Sequence, residues 1–150
     1  ILSRDHDFCQ LHRFGNVKQY DVIKKQFITE NNPEKYLKEH IIRGDVGDGI
    51  PNILSDGDTF VIKEKRQKQI RTEKLKNWLE DDALSFLTTD QITQNYNRNT
   101  QLIDFRCIPD NLRNSIFEEY MKQGNKTRKY LMDYFMKYRL KNLMSDLQDF

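Results

Sequence analysis

The aspartates of this chain include two short pairs that could work together on a phosphate ester. Asp5 and Asp7 lie in "ILSRDHDFCQL", and Asp45 and Asp48 lie in "HIIRGDVGDGIPNIL". The first pair follows an apolar run that reads as a strand end, where side chains at i and i+2 point to the same side. The second pair sits three residues apart in a Gly-rich turn at a helix end, which can also aim both carboxylates one way. Carboxylates that converge repel one another and need counter-charge. Hard divalent cations supply it, and Mg²⁺ takes a few carboxylates while keeping several waters. Two such ions about 4 Å apart can activate a water and stabilise the leaving oxygen of a phosphodiester. Either pair alone reads more readily as helix caps and turn formers.

Other metal chemistries fail on spacing. An EF-hand counted from Asp45 puts Gly47 and Gly49 where ligands belong, and one counted from Asp5 puts Cys9 and Gln10 at its fifth and sixth positions. Cys9 and His12 have a zinc-like separation without a second pair to complete four ligands. The Arg43-Gly44-Asp45 tripeptide stands without any other extracellular feature. Cys9 and Cys107 are too few and too far apart for a disulfide framework, which points to a reducing compartment.

Charge is unevenly spread. Residues 44–62 hold Asp45, Asp48, Asp56 and Asp58 and neither lysine nor arginine. Next comes a basic stretch with Lys63, Lys65, Arg66, Lys68, Arg71, Lys74 and Lys76, and a second basic zone holds Lys122, Lys126, Arg128, Lys129, Lys137, Arg139 and Lys141. An acidic hole between basic stripes suits a polyanion held while a metal acts on it, and solvated helix faces are the plainer alternative.

The elements that must position these groups are a small β edge and a helical body. "ILS" reads as the end of a buried strand, and "NVKQYDVIKKQFI" as two short strands joined around Lys24 and Lys25. Asn32 and Pro33 start a helix whose face carries Tyr36, Leu37, His40 and Ile41, and Gly44 ends it. Thr72, Asp90 and Asp110 read as caps of three further helices, the last closed by Gly124. Apolar stripes follow helical spacing at Ile116, Phe117, Tyr120 and Met121, at Tyr130, Leu131, Tyr134, Phe135 and Tyr138, and at Leu140, Leu143, Met144 and Leu147. They read as core. A chain of 150 residues suffices for a real core, and no apolar run approaches the roughly 18 residues that span a bilayer. The start at Ile1, already strand-like, reads as the C-terminal part of a longer protein.

Together and in this order, the two acidic stretches resemble the 5′ nuclease (flap endonuclease) superfamily. "ILSRDHDFCQL" is similar to its strand-end Asp-x-Asp motif. "GDVGDGIPNI" is similar to the Gly-Asp-x-x-Asp motif that opens its helix-three-turn-helix DNA-binding element. "DFCQLHRFGNVKQYDVIKKQFI", "LIDFRCIPDNL" and the closing helices to Phe150 resemble the C-terminal half of the T-even-type bacteriophage ribonucleases H.

The resemblance implies a mainly α fold: the C-terminal helical domain of a 5′ nuclease, with a small β edge from an α/β sheet. Residues 1–31 would end the nuclease core, and residues 32–150 would form the helical domain. It implies a Mg²⁺-dependent 5′-to-3′ nuclease, with Mn²⁺ as a substitute, that removes RNA primers and flaps during lagging-strand replication in the infected host cytoplasm. Its substrates would be duplex DNA and RNA–DNA hybrids with 5′ ends or flaps. Asp5 would serve the tighter metal; Asp7, Asp45 and Asp48 would serve the second. Gly47, Gly49 and Ile50 would offer backbone N–H groups to phosphates, and Lys63, Lys65, Arg66, Lys68 and Arg71 would track the strand beyond them. The closing helices would dock the phage single-stranded-DNA-binding protein, and "LMSDLQDF" resembles a sliding-clamp tail through Leu147 and Phe150. A duplex-binding helix-hairpin-helix module without catalysis is the alternative. Asn52 stands where the superfamily continues Pro-Gly, and the second Gly-x-Gly is missing, so a monovalent cation held by that hairpin is not carried over.

Overall fold

In the computed structural model, which describes residues 1–122, 128–145 and 147–149, the chain forms two compact units, Ile1–Ile108 and Pro109–Phe150. The fold is mostly helical with one small sheet. β1 (Gln19–Asp21) and β2 (Gln26–Ile28) pair antiparallel, with Tyr20 opposite Phe27. Lys25 turns the chain between them at a φ of 54°. The opening residues add one parallel bridge, Leu2 to Tyr20. They are not buried as the sequence implies: Ile1 and Leu2 are exposed, because only one of their edges is paired. A 3-10 helix, His6–Arg13, follows, capped by the Asp5 carboxylate on the Asp7 N–H.

α1 (Pro33–Arg43) starts and stops where its sequence dictates. The Asn32 side chain accepts from the Lys35 N–H, Pro33 fills the first position, and the Gly44 N–H closes the last turn on the His40 carbonyl. Its apolar residues face two ways. Ile42 joins Ile53, Leu75, Trp78 and Phe86, while Leu37 and Ile41 join Ile50 and Ile103. α2 (Thr72–Leu79) supplies Leu75 and Trp78 and is tied to α1 by Lys38, which donates to the Leu79 and Asp81 carbonyls. α3 (Asp90–Ile103) closes over both clusters through Tyr96.

Two caps fall one residue earlier than expected. Thr89, not Asp90, caps α3, since its hydroxyl accepts from the Ile92 N–H; Arg71 precedes α2 without a side-chain cap, and Thr72 is its first residue. The first compact unit runs from Ile1 to Ile108. Between Gly44 and Arg71 the chain forms turns and no helix.

The second unit holds α4 (Asp110–Lys122), α5 (Leu131–Lys137) and α6 (Lys141–Met144). Here the core expectation fails. Ile116, Phe117, Tyr120 and Met121 of α4 are exposed, as are Tyr130, Tyr134 and Tyr138, and among the described residues of this unit only Phe135 is buried. A unit this short has too little interior for all its apolar stripes. Arg139 at a φ of 55° separates α5 from α6. Gly124, Lys126 and Phe150 lie outside the described residues. Among the described residues no helix is long and apolar enough to cross a membrane.

Ile53 is wholly enclosed between α1, α2 and α3. Ile53→Ala is expected to cost about 2–5 kcal/mol of unfolding free energy, read by urea denaturation.

Candidate metal centre

The 3-10 helix cap and the C-terminal end of α1 bring two distant acidic residues to one imidazole. His40, on the last turn of α1, directs Nε2 to Asp45 Oδ2 at 3.0 Å and Nδ1 toward Asp7 Oδ1 at 3.5 Å. Ligand atoms of Asp7, His40 and Asp45 all lie within 4.8 Å of one another. The three side chains are 30%, 14% and 29% exposed, so the group is partly withdrawn from water yet open on one side.

Both flanking turns are built by the aspartates themselves. Asp5 Oδ1 accepts from the Asp7 N–H, which fixes the direction of residue 7. Gln19 donates to the Ser3 and Asp5 carbonyls and anchors that segment to β1. Asp45 Oδ1 accepts from the Asp48 N–H at 3.1 Å, while its other oxygen faces His40. Asp5 and Asp48 are exposed beside the group.

Their charges reach Asp7. Burial pushes its carboxyl above the ordinary range, His40 pulls it back, and Asp5, Asp45 and Asp48 push it up again. Burial acts upward on Asp45 as well, but the Asp48 and Gly47 N–H groups and the imidazole outweigh it, and its carboxyl titrates below the usual range. Partly buried carboxylates, one of them pushed up by its neighbours' charge, with a single imidazole between two of them, are a donor set that fits a divalent ion. The carboxylates suit Mg²⁺ or Mn²⁺, whereas an imidazole ligand suits Zn²⁺ better.

Sequence reading missed His40 as a member of this group, because it falls on the apolar face of α1 beside Tyr36 and Leu37. The available signal was its place on the final helical turn, ahead of Gly44 and Asp45. Cys9 and His12 do not meet as ligands: the thiol lies 3.9 Å from Gln19 Oε1, and His12 Nδ1 accepts the Glu30 N–H.

The turn after Asp45 uses its own donors. The Ile50 N–H bonds to the Asp45 carbonyl and the Gly49 N–H to that of Val46, and the Gly47 N–H acts on the Asp45 carboxylate. Ile50 is buried against Leu37, Ile41 and Ile103. Within the basic stretch, Lys63, Arg66, Lys68 and Arg71 are exposed. Lys65 turns back to Asp58 Oδ1 at 2.6 Å and to Asp56 at 3.4 Å, so part of the acidic hole is neutralised locally.

The family described as T4 RNase H, C terminal, matches residues 31–150. The chain belongs to this family. It is 28% identical over 155 aligned residues to the ribonuclease H of Enterobacteria phage T4, an alignment covering 100% of this chain and 51% of that protein. The chain thus spans about half the length of that curated relative. Family membership accords with the mainly helical fold and identifies a nuclease lineage. The match begins at residue 31, so α1, His40, Asp45 and Asp48 fall within it, while Asp5 and Asp7 fall within the pairwise alignment.

Proposed function

We propose that this chain is the C-terminal portion of a Mg²⁺-dependent 5′-to-3′ nuclease that hydrolyses phosphodiesters in RNA primers and flaps at replication forks. The observation that carries the reading is the meeting of Asp7 and Asp45 at His40, from segments separated by the β hairpin and α1. Asp7 and Asp45 would hold the ion, with Asp5 and Asp48 beside it, through water in part. Bound divalent metal supplies an activated water and charge stabilisation at the leaving oxygen. The chain's own residues do the positioning. Asp5 fixes the Asp7 backbone, the Asp48 N–H orients the Asp45 carboxylate, and His40 keeps the two carboxylates together. Lys63, Arg66, Lys68 and Arg71 would track the sugar-phosphate strand, and Gly47 and Gly49 leave the turn surface bare for its approach. Residues 1–31 would then end the catalytic core, with other carboxylates supplied from outside this segment.

Mn²⁺ titration followed by NMR tests the metal site. Resonances around residues 7, 40 and 45 should broaden first; broadening that spares all of them removes the assignment. Duplex affinity should fall steeply with salt, since Lys and Arg displace condensed counterions, and should be nearly indifferent to sequence.

A second reading has its own support, because Asp5 and Asp45 both serve as caps or turn acceptors. A non-catalytic duplex-binding module would show duplex affinity without any Mn²⁺-broadened site. For the closing helices we propose docking of a single-stranded-DNA-binding protein or a sliding clamp. Deleting residues 140–150 should weaken that capture.

A further inference from the structure

Arg98, on α3, is a half-buried cation held without a carboxylate. Nη2 donates to the Pro51 carbonyl at 3.0 Å, Nη1 to Asn95 Oδ1 at 3.1 Å and Nε to Asn99 Oδ1 at 3.0 Å. Among the described residues it makes no ion pair. Burial alone lowers its pKa, and no neighbouring charge offsets that. A guanidinium carries five N–H donors, and these bonds use three of them.

The surrounding turns, residues 51–57, are closed by side chains of the same helix. Asn99 donates to the Pro51 and Ile41 carbonyls, and Asn95 donates to those of Ile53 and Ser55. The Asn52 carbonyl takes the Ser55 N–H, and that of Asp56 takes Thr59. Asn52, Ser55, Asn95 and Asn99 are all buried. A bound monovalent cation needs several carbonyl oxygens turned toward one point, and here protein donors already hold them. Gly57 faces the guanidinium: a Cβ there would stand 3.1 Å from Nη1. Gly57 thus lets the chain pass close to the guanidinium, which stays only partly buried.

We propose that Arg98 is the built-in cation of the 51–57 turn segment, which therefore needs no bound monovalent metal ion, and that Arg98 offers its remaining guanidinium N–H groups to a phosphate of a nucleic-acid backbone. The phosphate half rests on the nucleic-acid reading above; the cation half does not. A fixed guanidinium does two things at once. It places a positive charge against the Pro51 carbonyl of the turn, and it presents a planar donor edge to an anion.

The test has one arm without nucleic acid. The thermal midpoint of the wild-type chain should be the same in potassium chloride and tetramethylammonium chloride of equal ionic strength. A ²⁰⁵Tl⁺ NMR titration should show no saturable site. A potassium-selective rise in the midpoint, or a saturating thallium signal, overturns the proposal.

The second arm uses a short DNA duplex. Wild-type affinity should match within about twofold in the two salts, and Arg98→Gln should bind about tenfold more weakly with a salt slope smaller by about one. Arg98→Lys, which keeps the charge, should restore the slope. A folded Arg98→Gln chain with the wild-type slope overturns the phosphate contact. If wild type binds no duplex in either salt, the nucleic-acid reading and the phosphate contact fall together, and the cation assignment is decided by the first arm.

Discussion

Gly44→Ala is expected to destabilise the chain by about 3–5 kcal/mol, enough to abolish a cooperative unfolding transition in a marginal domain. Gly44 ends α1 at φ 68° and ψ −175°, a region that residues with a Cβ scarcely enter. The added methyl would also stand 2.3 Å from the Ile50 carbonyl oxygen and 2.7 Å from the Pro51 carbonyl carbon, both backbone and unable to swing aside. Gly49 is the control. Its φ is 74°, but a Cβ there meets nothing within 4 Å. Gly49→Ala should therefore cost only about 1 kcal/mol, the conformational part alone. Urea denaturation of the two variants separates close approach from backbone angle. Equal losses would show that the crowding at Ile50 and Pro51 is relieved at little cost.

The second large effect is a pair of opposite signs. Without metal, Asp7→Asn should stabilise the chain by up to about 1 kcal/mol, because a half-buried carboxylate that repels its neighbours becomes neutral. Asp45→Asn should instead cost about 1 kcal/mol, through loss of the charge-assisted bond to His40. Saturating metal then reverses the sign for Asp7→Asn and deepens the loss for Asp45→Asn. At about a hundred times its dissociation constant, Mn²⁺ should raise the unfolding free energy of wild type by about 2.7 kcal/mol. Either substitution should remove most of that gain. In a complete nuclease of this family, Asp45→Asn should slow cleavage by about 100-fold while duplex binding stays close to wild type. Calorimetric melts with and without Mn²⁺ read the first part, and single-turnover cleavage the second. Two substitutions of like sign in the metal-free state would mean that the carboxylates are independent turn formers.

What was legible in the sequence was mostly local. Asn32, Pro33 and Gly44 define α1 because cap, first-turn ring and positive φ are each set by one residue type. The caps at Thr89 and Asp90 are harder to order, since neighbouring residues can both accept from a first-turn N–H. Apolar spacing marked the faces of α4 and α5 but says nothing about what lies opposite, so stripes read as core are exposed in the second unit. At the acidic site, the aspartates could be named from spacing and resemblance. The imidazole between two of them could not, because that bridge depends on how α1 packs against the 3-10 helix. Arg98 was invisible for the same reason: its backbone partner, Pro51, comes to it from a distant turn segment.

Gln10 ties the ends of the first unit together. Its amide donates to the Ile103 carbonyl and accepts the Phe105 N–H, 93 and 95 residues away, and the side chain is 1% exposed. A loop of that span closes late, since contacts so distant along the chain carry a large entropic barrier to encounter. The Phe105 amide proton should thus exchange with solvent deuterium only on opening of this clasp. Its protection would report directly on whether the segment bearing Asp7 is seated.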